Sequence, residues 1–157
     1  MLRIRSLNVR GSYRVMVELG DREDDIDIYC LQEVAVGVGE KFYIMDGYEV
    51  IGGVGGFIEK EEGSVVGVLA HERWKGKYVV MERSQWRIGI RVELGGGKEV
   101  SVWNIYLGQG KHDRLERMDE RESAVWIGDF NEWSKRWDGE KERRNKKGRM
   151  VEEWMNE

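Results

Sequence analysis

The sequence predicts an α/β fold. Three observations lead there: apolar runs of strand length recur along the chain, polar segments with helical spacing lie between them, and polar residues stand directly after several of the apolar runs. Strand ends of that kind are where α/β proteins tend to keep their chemistry. The clearest case is WIGDFNEW at 126–133, where Asp129 and Asn131 follow an apolar stretch.

The first alternation, MLRIRSLNV, puts Leu2, Ile4 and Ser6 on one side and Arg3 and Arg5 on the other, and predicts a strand ending near Asn8. Gly11 and Ser12 precede Tyr13, Met16, Val17 and Gly20, whose spacing predicts a short helix with a serine cap and a glycine stop. IDIYCLQEV at 26–34 predicts a second strand ending at Glu33. From 47 to 106 the runs YEVIGG, SVVGVLAH, KYVVMERS, WRIGIRVEL and EVSVWNIYL alternate with Gly-rich or charged turns, the pattern of an antiparallel meander. Within it, GGVGG lacks the Gly-Lys-Ser/Thr ending of a phosphate loop and reads as a turn. Residues 111–123 are polar and helix-forming and lead into the strand AVWI. Met150, Val151, Trp154 and Met155 then share one helical face in GRMVEEWMNE.

A chain of 157 residues with 40% hydrophobic content fits one globular domain over 1–157, with a core that needs no disulfide. Its one cysteine, Cys30, lies in an apolar run and reads as a buried thiol in a reducing compartment rather than a catalytic one. No apolar stretch is long enough for a membrane span and the N-terminus has no signal-peptide pattern, so the expected location is nuclear or cytoplasmic. The net charge is −4, but ELGDREDDID at 18–27 is acidic while RRNKKGR at 143–149 has five basic residues and no acid. The basic run suits a phosphate backbone or a solvated loop and helix start, and the sequence alone does not choose. Trp103, Trp126, Trp133, Trp137 and Trp154 allow base stacking, although aromatics in such positions are more often core. The chain has no Pro or Thr and three Ala, residues whose codons all carry cytosine at the second position. A coding strand depleted in cytosine explains this, and normal cytosine content in the gene would refute it.

Asn8, Glu33, Tyr106 and the pair Asp129 and Asn131 each follow an apolar run and bring a polar group suited to a metal or a phosphate. Their order, LNVRG, LQEV, NIYL, GDFN, resembles the endonuclease/exonuclease/phosphatase (DNase I-like) superfamily over nearly the whole chain. Within it, RIGIRVELGGGKEVSVWNIYL and RRNKKGRMVEEWMNE look most like the endonuclease domain of long interspersed (non-LTR) retrotransposons. The resemblance implies a mixed β-sandwich flanked by helices. It also implies a metal held by Glu33 with Asn8 as ligand or near neighbour, a phosphate contact from Tyr106, a water oriented or deprotonated by Asp129, and a phosphate oxygen or that water positioned by Asn131. All-oxygen donors suit Mg²⁺ or Mn²⁺ and not zinc. A phosphodiester repels hydroxide until positive charge is supplied, and a neutral amide can bind the phosphate without adding repulsion.

Family members continue with further strands, a Ser-x-Ile-Asp segment and a Ser-Asp-His ending, none of which occurs here. The resemblance therefore reads the chain as C-terminally truncated, with an incomplete second sheet and an exposed edge through which copies could associate. His71 and His112 stand in no comparable context, Gly108 replaces a frequent proline, and Arg10 stands where abasic-site enzymes have an aspartate. The function implied is a Mg²⁺-dependent phosphodiesterase that nicks DNA, active or inactivated by truncation. A remnant that only binds metal or nucleic acid, and a phosphatase of small phosphoesters, are the alternatives.

Overall fold

The computed structural model describes residues 1–9, 25–34, 46–52, 66–84, 86–107 and 124–130. The chain divides into two compact units, Met1–Tyr106 with Glu122–Asp129 and Leu107–Arg121 with Phe130–Glu157. Nearly all described residues belong to the first, and the architecture below is of that unit.

Eight strands form: β1 Ile4–Asn8, β2 Ile28–Gln32, β3 Tyr48–Gly52, β4 Gly67–His71, β5 Tyr78–Arg83, β6 Arg87–Gly95, β7 Lys98–Tyr106 and β8 Ala124–Asp129. One turn of 3-10 helix, Glu72–Trp74, follows β4. The strands build two mixed four-stranded sheets, ordered β1-β2-β4-β3 and β5-β6-β7-β8. In each sheet three strands are antiparallel and the fourth is added parallel, β1 beside β2 and β8 beside β7.

This corrects the α/β expectation. The described residues contain no α-helix, and the second sheet has as many strands as the first. The segments expected to be helical, 13–20, 111–123 and 148–157, lie outside the described residues, as do GGVGG beyond Gly52 and the basic run at 143–149. The strand expectations are the ones the described residues meet, because strand signals rest on burial. The meander is corrected as well. Strands β3 and β4 pair with each other in the first sheet, and β5 begins the second, so the run from 47 to 106 is split between sheets.

The core explains the split. Ile28, Cys30, Ile51, Val68 and Ala70 of the first sheet meet Ile88, Ile90, Val92 and Val102 of the second in one apolar cluster. Alternation along β6 is regular: Ile88, Ile90 and Val92 are buried while Arg91 and Glu93 are exposed. The first sheet also buries its other face, where Tyr29, Leu31, Tyr48 and Leu69 cluster with Val9 and Val34. A strand buried on both faces reads as a continuous apolar run, which is why IYCLQ in β2 is buried throughout. Cys30 is fully buried and its thiol is pushed up to about 12 by that burial, so it stays protonated. Trp103 is core as well, stacked on Trp126 at 5.2 Å, and its ring occupies the space where a Cβ on residue 89 would stand. Gly89 is thus a notch cut for an indole.

Candidate functional site

Parallel pairing decides where the polar strand ends go. Strands β1 and β2 run together in register Asn8↔Gln32, so their carboxyl ends share one edge and Glu33 follows beside Asn8. Strands β7 and β8 do the same with Tyr106↔Asp129. Each sheet therefore delivers two of the expected residues at the end of a parallel pair.

The four side chains meet. Asn8 Nδ2 donates to Glu33 Oε1 at 2.9 Å and to Asp129 Oδ2 at 2.7 Å, and the Tyr106 hydroxyl donates to Glu33 Oε1 at 3.3 Å. Asn8 is exposed, whereas Glu33, Tyr106 and Asp129 are half-buried, so the cluster is open to solvent on one side. Asn131, the fifth expected residue, lies outside the described residues. His71 is at the other end of the first sheet, where it ends β4 and its Nδ1 accepts from the Arg73 amide. His112 lies outside the described residues.

Glu33 has the one positive φ among described non-glycine residues, 52°. A left-handed backbone at such a residue costs roughly 1–2 kcal/mol and persists only where its surroundings enforce it. Here the enforcing contacts are visible. The Val9 amide donates to the Gln32 carbonyl at 2.9 Å, Gln32 before the bend and Val34 after it are buried, and the carboxylate takes two donors. The bend turns Glu33 out of the strand direction towards Asn8 and Tyr106.

Gly128 is the second special backbone, with φ 149°. A Cβ on it would fall on the Ile105 carbonyl oxygen, its register partner in β7, so no larger residue fits without moving backbone. The glycine of GDFN thereby lets β8 lie close against β7 and sets Asp129 beside Tyr106.

Sequence reasoning missed two further residues. Gln32 and Asn104 are buried polar side chains inside apolar strands, and Gln32 Nε2 donates to Asn104 Oδ1 at 2.6 Å. The signal is a lone amide within IYCLQ and within VWNIY, a group that needs hydrogen-bond partners wherever the strand is buried.

Two carboxylates, an amide and a phenol offer only oxygen donors to a cation, and among the described residues no group of three or more His, Cys, Asp or Glu could hold a metal. That set matches a hard ion that keeps several waters and takes one or two carboxylates, as Mg²⁺ does, better than a fully protein-caged zinc or calcium. Asn8 here presents its NH₂ to both carboxylates, so serving as a ligand requires its amide to turn over and offer Oδ1.

No family model matches this chain, and no curated protein matches it. No helix among the described residues is long and apolar enough to cross a membrane.

Proposed function

We propose that this chain is a Mg²⁺-dependent phosphodiesterase domain, using the site residues of the endonuclease/exonuclease/phosphatase superfamily to nick DNA as retrotransposon endonucleases do. The observation that carries the reading is the hydrogen-bonded cluster of Asn8, Glu33, Tyr106 and Asp129 at the carboxyl ends of two parallel strand pairs. The parallel pairings account for each pair, and the hydrogen bonds from Asn8 to Asp129 and from Tyr106 to Glu33 join the two pairs across the sheets.

In this reading Glu33, and Asn8 once its amide turns to offer Oδ1, would hold the cation, which when bound would supply positive charge against the phosphate. Asp129 would orient the attacking water and take its proton as the new P–O bond forms, while the bond from phosphorus to the sugar oxygen breaks and that oxygen leaves with its electron pair and takes a proton from solvent. Tyr106 donates its hydroxyl to a non-bridging phosphate oxygen, exchanging its bond to Glu33 for one to substrate. The resemblance gives Asn131, which lies outside the described residues, the role of a neutral amide for the phosphate. Phosphoryl transfer demands little covalent work from the protein, so placement of these groups accounts for most of the rate. The basic run RRNKKGR favours a nucleic-acid backbone over a small phosphoester.

The test is nicking of supercoiled plasmid by the purified chain with Mg²⁺, beside Glu33→Ala and Asp129→Ala. Nicking by the native chain that both substitutions remove supports the proposal. A folded chain that leaves plasmid intact at every Mg²⁺ or Mn²⁺ concentration refutes it, and faster hydrolysis of a soluble phosphate monoester than of DNA moves the substrate to that class.

A further inference from the structure

The two halves of the cluster come from different sheets, Asn8 and Glu33 from the first, Tyr106 and Asp129 from the second. Next to them a pair of buried amides links the two sheets. Gln32 Nε2 donates to Asn104 Oδ1 at 2.6 Å and to the Cys30 carbonyl at 3.0 Å, while its Oε1 accepts from Ser6 Oγ at 3.2 Å. Asn104 Nδ2 donates to the Leu31 carbonyl at 2.9 Å and to the Gly67 carbonyl at 2.8 Å. Both donors of each amide are therefore used, and both oxygens accept. From one side chain of β7, the network reaches β1, β2 and β4 of the opposite sheet.

Its position along the chain gives it leverage. Gln32 is bonded to Glu33 at the left-handed bend, and Asn104 precedes Tyr106 by two residues, so both project from the same face of β7. A rotation or slip of one sheet against the other would separate Tyr106 from Glu33, and the buried amide bridge opposes that movement at its nearest point. Buried networks with every member satisfied are rigid, whereas apolar contacts alone permit sliding between sheets.

We infer that Gln32 and Asn104 are positioning residues: their amide bridge holds Glu33 against Tyr106 and Asn8 in the geometry that takes metal and phosphate. The inference rests on the phosphodiesterase reading for its consequence, though the positioning itself is a property of the metal-free chain. A bridge that served only as fold glue would cost stability when replaced by apolar residues of similar size, since the Cys30, Leu31 and Gly67 carbonyls and Ser6 Oγ each lose a partner, but it would leave the geometry of Asn8 and Glu33 as it is.

The experiment is the double substitution Gln32→Met with Asn104→Leu in the full chain, compared with the native chain in three measurements. The first is the side-chain amide signals of Asn8 in nitrogen–proton NMR spectra without metal. The second is Mn²⁺ affinity by calorimetry, and the third is kcat and KM for plasmid nicking. The expected result is a folded chain whose Asn8 signals move to free-amide positions and whose Mn²⁺ affinity and kcat each fall about 10- to 100-fold, with KM for DNA little changed. Native values of all three in the folded variant overturn the inference.

Where the double variant does not fold, Gln32→Met alone is read by the same criteria, since it leaves both Asn104 donors on their carbonyls. A native chain that neither binds Mn²⁺ nor nicks DNA refutes the phosphodiesterase reading. The Asn8 signals then decide the positioning by themselves, a shift in the variant upholding it and no shift refuting it.

Discussion

The two ends of the first sheet both hold a carboxylate, and they hold it differently. At the amino end, before β2, Asp27 is buried and saturated: Trp74 Nε1 and Arg73 Nε donate to Oδ1, each at 2.6 Å, and the Arg3 amide donates to Oδ2 at 2.7 Å. At the carboxyl end, after β2, Glu33 is half-buried, takes two neutral donors on Oε1 alone, and pairs with no cation among the described residues. Burial pushes the Asp27 carboxyl up, but the Trp74, Arg3 and Arg73 donors outweigh it and hold it below the ordinary carboxylate value. An acid supplied so fully by its own chain has nothing left for a ligand and acts as a structural tie. Glu33 keeps an oxygen for an incoming cation, on a backbone bend that only its surroundings maintain. The difference teaches that saturation, more than the presence of an acid, marks which carboxylate still has an oxygen to offer a ligand.

Substitutions at the two ends should have opposite consequences for activity and stability. Asp129→Ala should lower nicking on the order of 10²- to 10⁴-fold, the usual contribution of a general base, while thermal unfolding stays near native. A parallel loss of stability would make the carboxyl end structural too, and both quantities come from one preparation by plasmid assay and calorimetry. Gly128→Ala should fail differently, because its Cβ meets backbone that cannot rotate away. We expect roughly 3 kcal/mol or more of lost stability in urea unfolding, with activity lost alongside, since β8 must leave its register to accept the methyl.

Asp27→Asn probes the other end. It removes the charge beside Arg73 and turns an NH₂ towards the Arg3 amide or towards the Arg73 and Trp74 donors, at a cost of about 2–4 kcal/mol with metal binding unaltered. The pH dependence follows from the sign of the shift. A carboxyl depressed in the folded state contributes its stability fully above the ordinary value of 3.8 and loses it as pH falls through the depressed value. Native protein should therefore lose stability in acid more steeply than Asp27→Asn, a difference that urea midpoints between about pH 5 and pH 2 would reveal.

The smallest expected effect is at Tyr78, whose hydroxyl donates to Glu49 Oε2 at 2.6 Å, joining β5 to β3 at the outer strands of the two sheets. Burial, then the hydrogen bond to Glu49, pushes the phenol up to about 12. Its protonated form is favoured on folding, so its contribution is complete below pH 10 and fades as pH rises towards 12. Tyr78→Phe should cost about 1 kcal/mol at neutral pH and flatten that alkaline decline in urea unfolding.

The strands were legible because their signals rest on burial: IDIYCLQEV pointed to β2, although Asp27 and Glu33 lie just outside its observed limits, Ile28–Gln32. The site was legible through strand ends, since a polar residue after an apolar run needs no knowledge of topology to be noticed. Sheet order was not, because the step from His71 to Tyr78 that leaves one sheet for the other resembles any other charged turn. Nor were the roles of Gln32, Asn104 and Gly128. A lone amide in a strand declares that it needs partners without naming them, and a glycine shows the carbonyl it avoids only once β7 and β8 are paired. The described residues are strands in two mixed sheets with no α-helix among them, which is where the expected α/β class departs from the structure.

The most direct measurement is a Mg²⁺ titration of the isotope-labelled chain followed by nitrogen–proton NMR. Saturable shifts are expected in the backbone signals of Asn8, Glu33, Tyr106 and Asp129 and in the Asn8 side-chain amide, with Asp27, Arg73 and Trp74 unmoved. Shifts centred on Asp27, or none at Glu33 and Asn8 at millimolar Mg²⁺, would contradict a cation site at Glu33 and Asn8.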